Sequence, residues 1–488
     1  QNLFELIIAS HGISCELNCL TCSRAHNCEL REIAEDIGVG EISLGPIDRG
    51  YENDETSYSI VREPNKCITC ARCIRKCEEI QGVGIFTTAG RGPATTVTTF
   101  GDKGMGNVEC TNCGQCIHAC PTGALHEVYH KENVWDVLND PDKHTVVQTA
   151  PAVRVALSES FGARPGTVST PQMVAALRRL GFDRVFDTNF TADLTIMEEG
   201  TELIERIKEG GMLPLFTSCS PGWIKFIEHF YPEYLENLSS CKSPQQMFGA
   251  VAKNFYAGRN DISREDMVVV SVMPCTAKKF EATRSEMRGD VDYVLTTREL
   301  AGMIKAAGID LLNLEGEDYD PLLGVSTGAG AIFGATGGVM EAALRTAYEL
   351  ITGEELQKLE FEDVRGIEGV KEAEVEIAGM DLRVAVTHGL GNARRLLEVL
   401  KHGQKKYHCV EFMACPGGCI GGGGQPGRAT PEKLKKRMQG LYKIDREKKR
   451  RKSHENPYIQ KLYDEYLEEP GSHRAHELLH THYVARGI

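Results

Sequence analysis

The sequence predicts an α/β domain built from doubly wound halves, preceded by two small cysteine-rich modules. Three observations carry that prediction. Twelve of the eighteen cysteines fall before residue 121, in three groups of four. From about Lys143 the pattern changes to strands alternating with helices. Near the carboxyl end, Cys415-Pro416-Gly417-Gly418-Cys419 runs into Gly421-Gly422-Gly423-Gly424, so two thiols sit on a backbone almost without side chains. Glycine permits close approach and unusual dihedrals, so a bulky inorganic group can press against this segment.

Bulk properties exclude several classes. A chain of 488 residues is long enough for two or more domains. The net charge of −14, with no compensating basic domain, argues against nucleic-acid binding. The one basic run, Arg446 to Lys452, reads as a solvated helix face. No apolar run approaches the roughly 20 residues of a membrane span. The opening Gln1-Asn2-Leu3-Phe4 lacks an initiator Met and a signal-peptide n-region, and reads as a processed or truncated start. Dense C-x2-C groups in a large chain are metal ligands rather than a disulfide framework, so the expected compartment is reducing, the cytoplasm.

The clearest groups are Cys67-x2-Cys70-x2-Cys73-x3-Cys77 and Cys110-x2-Cys113-x2-Cys116-x3-Cys120-Pro121. This is the two-cluster bacterial ferredoxin pattern, in which the fourth ligand of each [4Fe-4S] cube comes from the other run. Cys67, Cys70, Cys73 and Cys120 are therefore expected on one cluster, and Cys110, Cys113, Cys116 and Cys77 on the second. Glu78 stands where a proline would follow the first run. A zinc ribbon also needs four cysteines, but the x2-x2-x3 spacing disfavours it. The first group is His11-x3-Cys15-x3-Cys19-x2-Cys22-x5-Cys28. Cys19, Cys22 and Cys28 resemble a cluster module of hydrogenases and respiratory-complex large subunits, whose fourth ligand is a histidine four residues before the first cysteine. Here Cys15 holds that position. All-cysteine ligation is favoured, leaving His11 as a capping or surface residue, with His11 ligation the alternative. The expected boundaries are 1–60 for the small module and 61–130 for the α+β two-[4Fe-4S] ferredoxin-like domain.

Residues 143–488 form the expected catalytic domain. Val146-Val147-Gln148 and Val153-Arg154-Val155-Ala156 read as strands, Pro171–Leu180 and Ala192–Glu209 as helices, and Leu213–Phe216 and Val268–Val272 as strands. Cys219 and Cys275 each follow a strand, where ligands of such folds bind.

Three motifs now carry a resemblance. Thr217-Ser218-Cys219-Ser220-Pro221-Gly222-Trp223, Met273-Pro274-Cys275-x2-Lys278-x2-Glu281 and Glu411-Phe412-Met413-Ala414-Cys415-x3-Cys419 resemble, in order, the three signatures of [FeFe]-hydrogenases. The similarity extends to a small-subunit-like tail from about residue 430, including Leu478 to Tyr483. It implies reversible conversion of protons and electrons to H2 at an H-cluster, a [4Fe-4S] cube joined to a di-iron unit with CO, cyanide and an azadithiolate bridge. Three accessory [4Fe-4S] clusters would feed it from ferredoxin or a partner electron-transfer subunit, and an oligomer is compatible with it. By position, Cys419 matches the bridging thiolate, and Cys275 and Cys415 match cube ligands. Lys278 matches the residue beside a cyanide, with Glu281 orienting it or serving as an ordinary helix pair. Pro151, Ala152, Gln245, Met273 and Met413 map to the di-iron pocket, though core packing explains the methionines equally. Cys219 matches the proton-passing thiol, whose usual pKa of about 8.5 lets it give and take a proton. Glu199, Ser239, Glu202 and Arg206 match the relay to solvent.

One departure matters. Where the family has a second cysteine, the fourth cube ligand, this chain has Ser220. Ser220 can ligate through oxygen, Cys219 can take over as ligand, or the cube can be incomplete; a weak Ser220 ligand is preferred here. The alternatives for the whole chain are a non-catalytic or sensory hydrogenase-like iron–sulfur protein, an assembly factor, or a pure electron-transfer subunit. Cys241 and Cys409 read as packing thiols, Gly328-x-Gly330-x3-Gly334 as glycine-assisted helix packing, and His473, His476, His480 and His482 as scattered residues.

Overall fold

In a computed structural model, residues 2–11, 22, 24, 28–39, 43–45, 47, 49–366 and 369–487 are described. Two antiparallel ribbons make the ferredoxin-like region. β1 (Ile60–Arg62) pairs with β4 (Leu125–Glu127), and β2 (Phe86–Ala89) pairs with β3 (Thr96–Thr99). Short helices Arg72–Arg75 and Gln115–Ala119 lie within the two cysteine runs and carry Cys73 and Cys116. Each is entered through a left-handed residue, Ala71 (φ 56°) and Gly114 (φ 68°), which turns the loop back around its thiols.

Two four-stranded sheets form the larger part. One is all parallel, in the order β6 (Arg184–Asp187), β5 (His144–Thr149), β8 (Met267–Met273), β9 (Tyr293–Thr296). β5 and β8 are Val-rich runs buried on both faces, as covered parallel strands must be. The second sheet runs β10 (Val370–Ile377), β11 (Met380–His388), β12 (Cys409–Met413), β7 (Leu215–Phe216); only its edge pair β10–β11 is antiparallel. β10 alternates exposed and half-buried residues, the pattern of an edge strand with one wet face. Among the described residues no helix is long and apolar enough to cross a membrane.

Several expectations need correction. Val153 to Ala156 is not a strand but a buried succession of turns leading into the 3-10 helix Leu157–Phe161. Val153 N–H returns to the Ala150 carbonyl (3.1 Å), so the chain reverses directly after Pro151. β7 begins only after Pro214, which has no N–H to offer a ladder. The helix expected from Ala192 starts earlier, at Thr188, because Asp187 caps it by accepting from Asn189 N–H. The basic run is solvated from Arg446 to Arg450, but most of it lies beyond the helix, which ends at Glu447; Arg451 pairs with Asp445 and Glu360, and Lys452 turns inward to Glu349. His11 is no surface residue either. It is buried and its Nδ1 donates to the Lys66 carbonyl (2.8 Å), tying the first helix to the loop that enters Cys67.

The glycine-rich segment meets the ferredoxin-like region without side chains between them. A Cβ on Gly423 would lie 2.3 Å from the Cys113 carbonyl oxygen and 2.7 Å from Gly114 Cα. Both obstacles are backbone, so Gly423→Ala is expected to lower stability by about 1–3 kcal/mol through overpacking. Gly302→Ala, in an exposed helix with nothing within 4 Å of the new methyl, is expected to raise it by up to about 1 kcal/mol. Thermal unfolding of the two variants beside the parent checks the opposite signs.

Candidate active site

Four loops converge, each at the carboxyl end of a parallel strand. β5 delivers Pro151 and Ala152, β7 delivers Cys219 and Ser220, β8 delivers Cys275, and β12 delivers Cys415 and Cys419. Parallel strands aim their carboxyl ends at one edge, which is why residues as far apart in sequence as Pro151 and Cys419 meet there. Cys419 packs against the apolar cluster of Ala152, Ile332, Ala335 and Ile420. Cys219 packs against that of Phe333, Val339 and Met413. Met273 is 3 % exposed and Gln245 1 % exposed, so both are interior.

Lys278 is the cation of this pocket. Its ammonium donates to Glu281 Oε2 (2.8 Å), Ser243 Oγ (2.6 Å) and the Cys219 carbonyl (3.2 Å). Gln245 Nε2 and Ser243 Oγ donate to the same Glu281 carboxylate, at 3.1 and 2.9 Å. Glu281 thus fixes Lys278 through a shared network, beyond a simple helix pair. The thiols need such help. Burial pushes Cys275 up to about 11 and Cys419 to about 12, Lys278 partly offsetting both. Cys415 is also raised well above the ordinary thiol value, through burial and then its neighbours Cys275, Cys113 and Cys419.

These residues fit a thiolate-bound metal group. Buried thiols crowded by other thiols stay protonated unless a bound cation draws the protons off. Among the described residues, one trio of ligand-type side chains has donor atoms all within 4.8 Å, Glu202, Cys241 and His480, and no group of cluster cysteines does. A single zinc ion would draw its sulfurs to about 3.8 Å. The main chain around these thiols is closely nested: a Cβ on Gly418, Gly421 or Gly422 would come within 2.6 Å of backbone, so only glycine fits there. Ser220 Oγ accepts from the Ala414 N–H (3.2 Å), which holds the hydroxyl beside Cys415 at the start of the Pro221–Phe230 helix.

The accessory cysteines also gather. Cys67, Cys70, Cys73 and Cys120 line one apolar cavity. Burial first, then Cys113 and Cys110, pushes Cys77 up to about 12, and burial with Cys113, Cys110 and Cys77 holds the Cys116 thiol far up. Cys15 and Cys19 lie outside the described residues. Cys22 and Cys28 are half-buried. The module that carries them abuts the next loop, where Arg24 donates to the carbonyls of Ile117 (2.8 Å) and Cys120 (2.7 Å).

A polar line leaves the pocket along the Thr188–Glu209 helix. Burial first, then Glu202, pushes Glu199 up to about 8, and one of its oxygens has no partner. The Ser239 hydroxyl donates to Glu202 Oε2 (2.8 Å), and Arg206 donates to Glu202 Oε1 (2.6 Å). Arg206 and Glu202 have side chains 17 % and 14 % exposed, so the line reaches the surface there. Burial and Glu199 push the Cys219 thiol well up. It is a fully protonated thiol at neutral pH.

The tail adds residues that sequence reasoning missed. His480 is not scattered: Nδ1 meets Ser240 Oγ (2.8 Å) and Nε2 meets Glu198 Oε2 (3.0 Å). An antiparallel bridge sets it against Cys241. No spacing signal links residues 240 positions apart. Gly328, Gly330 and Gly334 do serve close packing, against Asp445, Asn189 and Leu441, and Cys409 is buried in β12.

The comparisons agree with this geometry. The family described as iron only hydrogenase large subunit, C-terminal domain, matches residues 143–423, and iron hydrogenase small subunit matches 431–486. The NADH-quinone oxidoreductase subunit 3 ferredoxin-like domain matches 57–126, and the NADH-ubiquinone oxidoreductase-G iron-sulfur binding region matches 1–43. The chain is 51% identical over 500 residues to NADP-reducing hydrogenase subunit HndD of Solidesulfovibrio fructosivorans, covering 100% of this chain and 84% of that one. It is 44% identical to iron hydrogenase 1 of Clostridium pasteurianum, over 96% of this chain and 83% of that one. The structure of apo [FeFe]-hydrogenase HydA1 from Chlamydomonas reinhardtii matches with a TM-score of 0.66 at 46% identity, over 74% of this chain and 100% of that one. A more distant relative, cytosolic iron-sulfur assembly component 3 of Bos taurus, is 30% identical over 77% of this chain and 83% of its own. The chain belongs to the iron-only hydrogenase family and is an iron–sulfur enzyme of that class.

Glu199 generates a pH prediction. Its folded value of about 8 lies above the ordinary 4.5. The folded state therefore binds the extra proton, and the stability this brings is lost as pH rises from about 4.5 through 8. Glu199→Gln should gain thermal stability relative to the parent over that window, with a constant difference above it. A difference that does not change between pH 5 and 8 contradicts the assignment.

Proposed function

We propose that this chain interconverts H2 with two protons and two electrons at an H-cluster held by Cys275, Cys415, Cys419 and, weakly, Ser220. The observation that carries the reading is the meeting of those loops around Lys278 at the carboxyl ends of parallel strands. When bound, the H-cluster supplies the iron at which hydrogen is made or split. Three accessory [4Fe-4S] clusters, on Cys15, Cys19, Cys22 and Cys28 and on the two ferredoxin-like sets, relay electrons. The two sheets correspond to the two doubly wound halves, with the ferredoxin-like domain and the small module upstream. The electron partner is a further subunit or ferredoxin, in keeping with a relative named as a subunit of an NADP-reducing hydrogenase.

The chain's own residues handle the protons and the surroundings. Lys278 places a buried positive charge beside the anionic group, and Glu281, Ser243 and Gln245 keep it there. Pro151, Ala152, Met273 and Met413 wall the pocket with apolar surface and exclude water. Cys219 gives a proton inward as a thiol and recovers it from Glu199, whose raised value near 8 makes it a carboxylic acid able to deliver one near neutrality. Ser239 passes protons between Glu199 and Glu202, and Arg206 holds Glu202 at the outer end.

The second reading, a non-catalytic hydrogenase-like protein, is favoured by one observation, Ser220 in the place of a thiol. Hydrogen evolution from a reduced viologen by the anaerobically matured chain separates the two. The expected result is turnover by the parent and a fall of about 10²–10⁴-fold in Cys219→Ala and Glu202→Ala at unchanged iron content. No turnover by a fully iron-loaded parent would select the second reading.

A further inference from the structure

Gln81 is completely buried, at the junction of the ferredoxin-like domain and the second sheet. Its Nε2 donates to Cys113 Sγ (3.4 Å) and to the Ala414 carbonyl (3.1 Å), while its Oε1 accepts from the Leu390 N–H (3.0 Å). These partners fix the amide orientation, because the reverse would face carbonyl oxygen to carbonyl oxygen and N–H to N–H. Cys113 belongs to one cysteine set, and Ala414 directly precedes Cys415 of another. Cys415 Sγ lies 3.9 Å from the Cys113 carbonyl oxygen, so the two loops touch where Gln81 bridges them. One immobilised side chain thus contacts a sulfur of the first set and the main chain of the second.

We propose that Gln81 sets the potential of the accessory cluster held by Cys77, Cys110, Cys113 and Cys116, through its N–H···S hydrogen bond to Cys113. The inference rests on the reading that those four cysteines hold a cluster. An added electron spreads negative charge onto the ligand sulfurs, and a donor aimed at one of them stabilises that reduced form. Gln81 therefore raises the potential of the site that faces the active-site loops, and holds electrons one step from them. It is a positioning residue for the electron path and touches no substrate.

The test is a redox titration of the iron-loaded chain, followed by electron paramagnetic resonance, with Gln81→Leu, Gln81→Glu and Arg394→Ala beside the parent. Gln81→Glu keeps the acceptor for Leu390 and loses the donor to sulfur. Arg394 donates to the Gly82 carbonyl (2.9 Å), so Arg394→Ala loosens the same junction without touching a cysteine. In both Gln81 variants one accessory signal should move to lower potential by roughly tenfold in its reduced-to-oxidised ratio, about 59 mV for one electron. The other signals, and all signals in Arg394→Ala, should stay in place. Unmoved midpoints in the Gln81 variants, or an equal shift in Arg394→Ala, overturn the inference. Absence of accessory-cluster signals from the loaded parent would instead overturn the cluster reading on which it rests.

Discussion

The structure depends on a close approach of main chain to main chain. Cys113-Gly114 of the ferredoxin-like domain lies directly against Gly423, with no side chain between. Hydrogen bonds lock the contact: Gln115 Nε2 donates to the Gly421 carbonyl (2.9 Å), and Thr276 Oγ to the Asn112 carbonyl (2.7 Å). Electron transfer demands short distances between cysteine sets, and only residues without side chains let the loops nest this tightly. The strand-end placement of Cys275 and Cys415 follows from that demand, since two parallel sheets aim their loops at the same junction.

Charge is handled with equal economy. The pocket gathers thiols, a carboxyl and one ammonium in an interior that penalises every unpaired charge. Lys278 and Glu281 are stable there because Ser243, Gln245 and the Cys219 carbonyl complete their hydrogen bonds. Among the described residues Glu199 has no cation beside it and leaves one oxygen without a partner, and burial keeps it protonated instead. That difference leaves one buried glutamate as a fixed counter-charge and, in the proposed function, the other as a proton carrier. The tail joins the same arrangement, because His480 reaches Ser240 and Glu198 at the back of the relay helix.

Much of this was legible from the residues. The C-x2-C-x2-C-x3-C runs have a spacing with one common use, and the strand-then-cysteine order of Cys219 and Cys275 places them where α/β folds bind ligands. Glu199, Glu202 and Arg206 share a helix face by their spacing alone. What was not legible depends on contacts distant in sequence. Val153 to Ala156 has a strand-like composition, yet the chain must turn after Pro151 to reach the pocket. His11 reads from sequence as a capping or surface residue because nothing in its neighbourhood announces the Lys66 carbonyl. The links from Gln81 to Leu390 and from His480 to Glu198 span hundreds of residues, and no local pattern encodes them.

The most direct measurement is an infrared spectrum of the anaerobically matured chain in the region of metal-bound CO and cyanide stretches. The account predicts bands there that shift on exposure to H2, with Ser220 acting as a tuning ligand of the cube. Their absence, while a control hydrogenase matured in parallel displays them, would contradict a working di-iron site in this chain.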